Sequence, residues 1–284
     1  ELGCADPDQP CRLPNSFQAD PPLDMVKNRN IELGARGVKD YTLLGMNHNI
    51  NWNASAYAGR NFNDIIFIGG NRVGTGYFRN VGNTQRMGTE LGLNGKLGNK
   101  LSWYGNYSYV RATFETSQNI SSAGHSSNPF ECDGAIAGAT ANDQDACESS
   151  EGYQIGVGPG DAIPGLSPHI TRIGIGYAPT ESFSLTLDTE YNSNQFYRGD
   201  ENNHHGQKVP GYFLLNASAE FKFPLKANSP FSTVFFLDGR NLLDTNFETG
   251  GIVAENEVEG TGGSGTFVTP GQPLSIMGGM HIRW

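Results

Sequence analysis

The residues able to do chemistry are few, and they lie outside the regular parts of the chain. Four cysteines form two close pairs, Cys4 with Cys11 and Cys132 with Cys147, each in Gly/Pro/Asp-rich sequence. Neither pair has the CxxC spacing of a zinc or redox site, so local disulfides in an oxidising compartment are the expected use. The histidines are His48, His125, His169, His204, His205 and His281. The adjacent pair His204 and His205 would offer imidazoles to a metal or haem from a loop. Neighbours in extended chain point opposite ways, however, and no histidine–carboxylate spacing supports zinc. Just upstream, Tyr197 and Arg198 close a strand and are placed to meet a bound ligand. The segment ECDGAIAGATANDQDACE holds Glu131, Asp133, Asp143, Asp145 and Glu148. Calcium needs several converging oxygens, and a solvated loop explains these carboxylates more simply. The run Glu255, Glu257, Glu259 before TGGSGT reads the same way. No catalytic constellation, structural metal set or cofactor motif emerges, which points away from an enzyme.

Composition narrows the class. The chain has 284 residues and a net charge of −10. Nucleic-acid binding calls for a basic face and is not expected. No stretch approaches the ~20 apolar residues of a membrane helix. The 38 glycines, with many Asn, Ser and Thr, disfavour helices, whereas 16 Phe and 11 Tyr suit strands. The expected class is all-β.

Elements that could carry the loop residues are written as period-2 alternation. FSLTLDTEY puts Phe183, Leu185, Leu187 and Tyr191 on one face and Ser184, Thr186, Asp188 and Glu190 on the other. YFLLNASAEFKF, FSTVFFL, ITRIGIGY, TELGLNGKL, NINWNASA and IELGARG alternate likewise. Strands are expected at 24–39, 47–69, 76–97, 100–115, 168–178, 182–197, 211–223, 231–243 and 273–284. Alternation alone fits a soluble sandwich, for instance a secreted lectin, as well as a membrane barrel.

Three features favour the barrel. Short links (40–46, 98–100, 178–181, 224–230) alternate with long polar ones (1–23, 116–167, 198–210, 244–272), as in outer-membrane barrels whose short turns face the periplasm. The link 70–75 is the outlier, short where a long one is due. Aromatics gather near the two strand ends. Trp103, Tyr177, Phe183, Phe221, Phe223, Phe231 and Trp284 lie toward the short turns, and Phe67, Tyr77, Tyr109, Tyr191, Tyr197 and Tyr212 toward the long loops. Two such belts match two membrane interfaces. Finally, PLSIMGGMHIRW keeps strict alternation to the last residue, and Trp284 reads as the terminal aromatic recognised by barrel-assembly machinery. Arg111, just above Tyr109 on the lipid side, would meet lipopolysaccharide phosphate. Glu32, Arg36, Glu90, Lys96, Arg172, Asp188, Glu190, Glu220, Lys222, His281 and Arg283 fall on the other face, where they would hydrate a lumen and dock a plug.

Nine strands are an incomplete set, because bacterial single-chain barrels have an even number and an open sheet leaves edges unpaired in lipid. Residues 1–284 are therefore expected to be the C-terminal part of a larger barrel.

Several segments, taken in order, resemble TonB-dependent receptors. YFRNVGNTQRMGTELGLNGKLGNKLSWYGNYSYVRATF resembles that family's strand–turn–strand segment, and IPGLSPHITRIGIGYAPTESFSL its Ile-Pro-Gly…Pro-x-His segment. YRGDENNHHGQKVPGYFLLNASAEF is similar to its Arg-Gly-Asp-Glu-Asn…Val-Pro-Gly-Tyr segment. GRNLLDTNFET resembles its Asn-Leu-Phe-Asp motif with Leu243 in place of Phe, and NRNIELGARG one of its middle strands. The resemblance implies a 22-stranded barrel filled by an N-terminal plug, in the outer membrane of a Gram-negative bacterium. It also implies coupling to the TonB complex through that plug, and import of a scarce nutrient. A ferric siderophore is the expected cargo, with haem, cobalamin or an oligosaccharide as alternatives. The rivals of another class are a passive porin or adhesin barrel and the soluble lectin-like sandwich.

Overall fold

The computed structural model describes residues 16–17, 21–43, 45–69, 75–122, 125–126, 154–224, 232–256 and 263–283. Among them all regular structure is β. In chain order the strands are β1 (Ser16–Phe17), β2 (Lys27–Leu43), β3 (Met46–Phe62), β4 (Ile65–Gly69), β5 (Thr75–Asn80), β6 (Thr84–Leu97), β7 (Leu101–Phe114) and β8 (Gln118–Ser121). They continue as β9 (Gln154–Val157), β10 (His169–Thr180), β11 (Phe183–Asn192), β12 (Tyr212–Pro224), β13 (Ser232–Arg240), β14 (Glu248–Asn256), β15 (Gly263–Pro270) and β16 (Ser275–Arg283).

Nine of these form one antiparallel sheet, a wall in the order β16-β13-β12-β11-β10-β7-β6-β3-β2. Each wall strand pairs with the next one along the chain, and β2 and β16 are the edges. The nine correspond one for one to the alternating segments of the sequence. Cysteines 4, 11, 132 and 147, Phe231 and Trp284 lie outside the described residues; β16 is described as far as Arg283, opposite Ser232 on β13.

The irregular link around 70–75 has a physical explanation. The expected strands 47–69 and 76–97 do not run through. Asn63 turns the chain at φ 55° and Gly82 at φ 71°, and Asp64 and residues 81–82 exchange backbone bonds (Asp64 N–H to Gly82 O 2.7 Å, Val81 N–H to Asp64 O 2.8 Å). The hairpin β4–β5 therefore leaves the wall as part of a long excursion, residues 63–83, and long and short links alternate without exception. The expected strand runs through the break because Ile65, Ile66, Phe67 and Ile68 are as strand-like as the wall itself.

Register fixes the two faces. Ile175 lies opposite Leu187 and Trp103, Leu187 opposite Ala217, Phe221 opposite Phe183 and Phe235, and Phe235 opposite Met280. This face is apolar and uncovered: Leu33 is 81% exposed and Ile276 68%. Leu185 and Leu215 are half-buried in the same rows. No second layer packs on these side chains among the described residues, as a sandwich would require.

The opposite face is a polar ladder. Asn49 donates to Asp40 (2.5 Å), and Asn51 donates to Asn49 (2.8 Å) and Asn94 (3.2 Å). Arg172 pairs with Glu190 at 3.4 Å, and the Tyr104 hydroxyl donates to Asp188 at 2.5 Å. That last bond requires Gly174 between them, since a Cβ there would stand 2.1 Å from the Tyr104 ring. Tyr212 belongs to this polar face, opposite Asn192; its neighbour Phe213, opposite Tyr191, takes the apolar place expected of it.

At the long-link end the chain builds a second structure, here termed the crown. It contains the sheet β1-β5-β4, the pair β8–β9 and the hairpin β14–β15. Apart from Val234 in the wall, every buried apolar side chain among the described residues lies in the crown or at the strand tops beneath it. The main cluster is Ile68, Val81, Phe114, Ile120, Ile155 and Val157, with Ile66, Tyr77 and Ile163 packed against it. Links read as simple loops are thus folded.

Candidate functional site

The loop 193–211 is the centre of the crown, and backbone bonds position it before any side chain acts. Gln195 and Val209 close it with reciprocal bonds (N–H to O 3.1 and 2.9 Å). Arg198 adds to the β14–β15 hairpin, donating to Gly251 O (3.0 Å) and accepting from Val253 N–H (2.7 Å). Gly199, at φ 91°, lets the chain pass so close to Val253 O that a Cβ would lie 2.8 Å from it. Ser122, following β8, donates to Gly199 O at 2.5 Å. Asn203 clamps the other side, accepting from Ala162 N–H (2.6 Å) and donating to Ala162 O (3.0 Å). Three chain-distant segments converge here.

The polar centre is buried. His125 Nε2 lies 3.0 Å from Asp200 Oδ1 with both side chains fully buried, and the same oxygen accepts from His205 N–H at 3.0 Å. His205 Nδ1 lies 3.1 Å from the Ser126 hydroxyl, and its ring is 5.6 Å from that of His125. Burial, then the neighbouring His125, pushes the His205 imidazole below its ordinary value, against the pull of Asp200. Burial pushes the Glu201 carboxyl up to about 7; Asp200 adds to the rise, and hydrogen bonds from the backbone of Gly199 and of Glu201 itself, with His125, oppose it. One carboxylate oxygen each of Asp200, Glu201 and Glu248 is buried without a hydrogen-bond partner.

The residues singled out in the sequence separate here. Tyr197 is 5% exposed and packs with Val209 and Val253, and burial, then Glu248, raises its phenol. Arg198 is pinned by its backbone while its side chain is exposed. His204 is exposed and His205 is half-buried, its ring facing that of His125. Lys208 places its ammonium 3.9 Å above the Phe196 ring. No group of three or more His, Cys, Asp or Glu is arranged to hold a metal ion among the described residues. Arg198, His204 and Lys208 face solvent, and the buried Asp200, paired with His125, lies within the loop that presents them.

Two sets of contacts went unread in the sequence. His125 and Asp200 are 75 residues apart, and no local pattern announces their meeting. Asn241 sits in the GRNLLD motif at φ 50°; its side chain bonds Thr245 O (2.9 Å), Gln272 O (3.0 Å) and Thr245 N–H (2.9 Å). It thereby ties the two feet of the β14–β15 excursion, and the motif itself was the available signal.

On the apolar face, Tyr109 and His169 rings lie 5.0 Å apart near the crown, with Tyr191 in the same upper region. Trp103, Tyr177, Phe183, Phe221 and Phe223 lie on that face toward the short turns, with Phe183 and Phe221 at 4.5 Å.

Comparison with known proteins gives the family described as TonB dependent receptor-like, beta-barrel, matched over residues 8–242. Among solved structures, the closed form of the ferric-catecholate import receptor Fiu from E. coli K12 is 15% identical, with 94% of this chain and 30% of that one covered and a TM-score of 0.50. The unliganded ferric citrate transporter FecA is 17% identical, with 90% and 31% covered and a TM-score of 0.52. The copper transporter OprC is 14% identical, with 90% and 30% covered and a TM-score of 0.52. At these identities the likeness concerns the fold, and the chain spans about 30% of the length of these structures. No curated protein matches it in sequence.

Proposed function

Because this chain belongs to the TonB-dependent receptor family, transporters rather than enzymes, whose barrels lie in the outer membrane of Gram-negative bacteria, we propose that it is the C-terminal wall and crown of an active importer. The carrying observation is the division between an uncovered apolar sheet and a buried, hydrogen-bonded crown at one end of it. The apolar face meets lipid, with Tyr109 and Tyr191 at one interface and Trp103, Tyr177, Phe183, Phe221 and Phe223 at the other, and the polar ladder lines the lumen and receives a plug. The edges β2 and β16 pair with further strands, because each unsatisfied backbone group in lipid costs on the order of several kcal/mol. The crown faces outward and captures cargo, and TonB, acting through the plug, powers entry.

The proposed cargo is a ferric siderophore. Support comes from the family, from the iron-import names of two neighbours and from the exposed cations Arg198 and Lys208 beside the exposed His204, which suit an anionic complex. The test is growth of a deletion strain on single iron sources, with haem, cobalamin and oligosaccharides in parallel. Loss of growth on one ferric siderophore, restored by the full-length gene, supports the reading. Loss on another nutrient reassigns the cargo, and no change on any nutrient overturns import.

A further inference from the structure

Near the crown, the apolar face of β2 and β3 changes character. Ile31 and Leu33 are 73% and 81% exposed. One row above Ile31, about 7 Å along the strand, Arg29 lies directly opposite Arg60. One row further, Lys27 lies opposite Phe62. Both guanidinium carbons are 5.5 Å from the centre of the Phe62 ring. The row of Ile31 continues through Ala58 and Met87 to Arg111, so a fourth cation stands on the same face, two strands from that of Arg60.

Like charges placed directly opposite one another destabilise a strand pair. Here stacking on one ring gathers the two guanidiniums instead of letting them part. No acid neutralises them: the ion pairs among the described residues are Arg86–Asp64, His125–Asp200 and Arg172–Glu190. The acid closest in sequence to Arg111, Glu115, accepts from the Thr113 hydroxyl at 2.9 Å. All four cations are exposed, and an apolar strip runs directly beneath them.

We propose that Arg29 and Arg60, flanked by Lys27 and Arg111, bind a phosphate of a phosphorylated glycolipid of the outer leaflet, with the acyl chains lying on Ile31, Leu33 and Leu91. Two guanidinium forks match the oxygens of one phosphate monoester, and the bound dianion removes the repulsion of the cross-strand pair. The aliphatic strip below distinguishes a lipid from a free anion. This inference rests on the outer-membrane placement and not on the identity of the cargo, so nutrient growth and lipid binding can fail separately.

The experiment compares full-length protein in detergent with bis-phosphorylated and dephosphorylated lipid A, read by native mass spectrometry. Folding of every variant is checked by heat-modifiable electrophoretic migration. R29Q/R60Q is expected to bind the bis-phosphorylated lipid at least about tenfold more weakly, and the dephosphorylated lipid as the unaltered protein does. R29K/R60K, which keeps the charges but loses the forks and the stacking, is expected to fall between the two. R36Q, on the polar face, is expected to bind normally. Millimolar inorganic phosphate is expected to leave the lipid bound. Equal retention by R29Q/R60Q, or by R29K/R60K where the glutamine variant does not fold, overturns the proposal, as does displacement of the lipid by inorganic phosphate.

Discussion

The wall and the crown are the same chain folded under opposite rules. In the wall, Leu237 is 56% and Phe235 46% exposed, yet both lie in long, unbroken ladders. In the crown, Ile120 is fully buried on the short strand β8, and so is Phe114 at the top of β7 beneath it. The wall satisfies its backbone internally and leaves its apolar side chains to the bilayer, which is why none of its outward rows needs a partner layer. The crown meets water and must supply its own interior, so it gathers apolar residues from β4, β7, β8 and β9 and pairs its buried polar groups. A mutation should therefore be read by region before it is read by residue type.

The largest expected effect tests the crown. Phe114→Ala empties the centre of its main cluster and should cost about 3–5 kcal/mol there. Hydrogen exchange and protease sensitivity should rise in residues 154–165, while heat-modifiable migration of the barrel persists. Collapse of both would join the two regions into one cooperative unit. Next comes the wall: Leu187→Arg, in the middle of the apolar face, should destabilise unfolding from phospholipid vesicles by about 2–4 kcal/mol. In detergent micelles the loss should be smaller. An equal penalty in the two media would mean that Leu187 is packed on protein rather than lipid.

A third prediction concerns the crown's protons. Glu201 has its carboxyl raised to about 7, so the crown is favoured while Glu201 stays neutral. That contribution is complete below the unfolded value near 4.5 and is lost as pH rises through about 7. The loss amounts to on the order of 3 kcal/mol of local stability. His205 acts in the opposite sense, since its lowered value makes stability fall as pH drops below the ordinary imidazole range. Glu201→Gln should remove the alkaline loss and keep the acidic one, measured as exchange rates across residues 193–211 between pH 4.5 and 8. An unchanged alkaline limb would assign it to another group. The smallest effect belongs to the lumen face. Arg172→Gln breaks a pair whose side chains are 60% and 27% exposed and should cost under about 1 kcal/mol in denaturant unfolding.

Much of the wall was readable in advance. Period-2 alternation is imposed by the contrast between lipid and water on the two faces, and it appears wherever a strand crosses that boundary. The nine strands, their faces and the positions of Leu187, Ile175 and Phe221 followed from it. The breaks at Asn63 and Gly82 did not, because the apolar run Ile65–Ile68 of β4 is as strand-like as the wall strands it interrupts. In the candidate site, Tyr197 and Arg198 were expected at the top of a strand running to 197, but β11 ends at Asn192 and both lie in the loop 193–211, a stop that alternation alone does not show. The division into a buried Tyr197 and an exposed Arg198 was not legible either, since that depends on Val209 and Val253.

By itself the sequence determined which residues extend, which face of each strand is greasy and where long and short links fall, because these depend on neighbours one or two positions apart. The tertiary structure alone decided that the long links fold together and that His125 reaches Asp200. It also decided that Asn241 ties Thr245 to Gln272 and that two arginines share one phenyl ring. Most of those contacts join positions from 31 to 75 apart, and only the register of the sheet and the closure of its loops bring them within bonding distance.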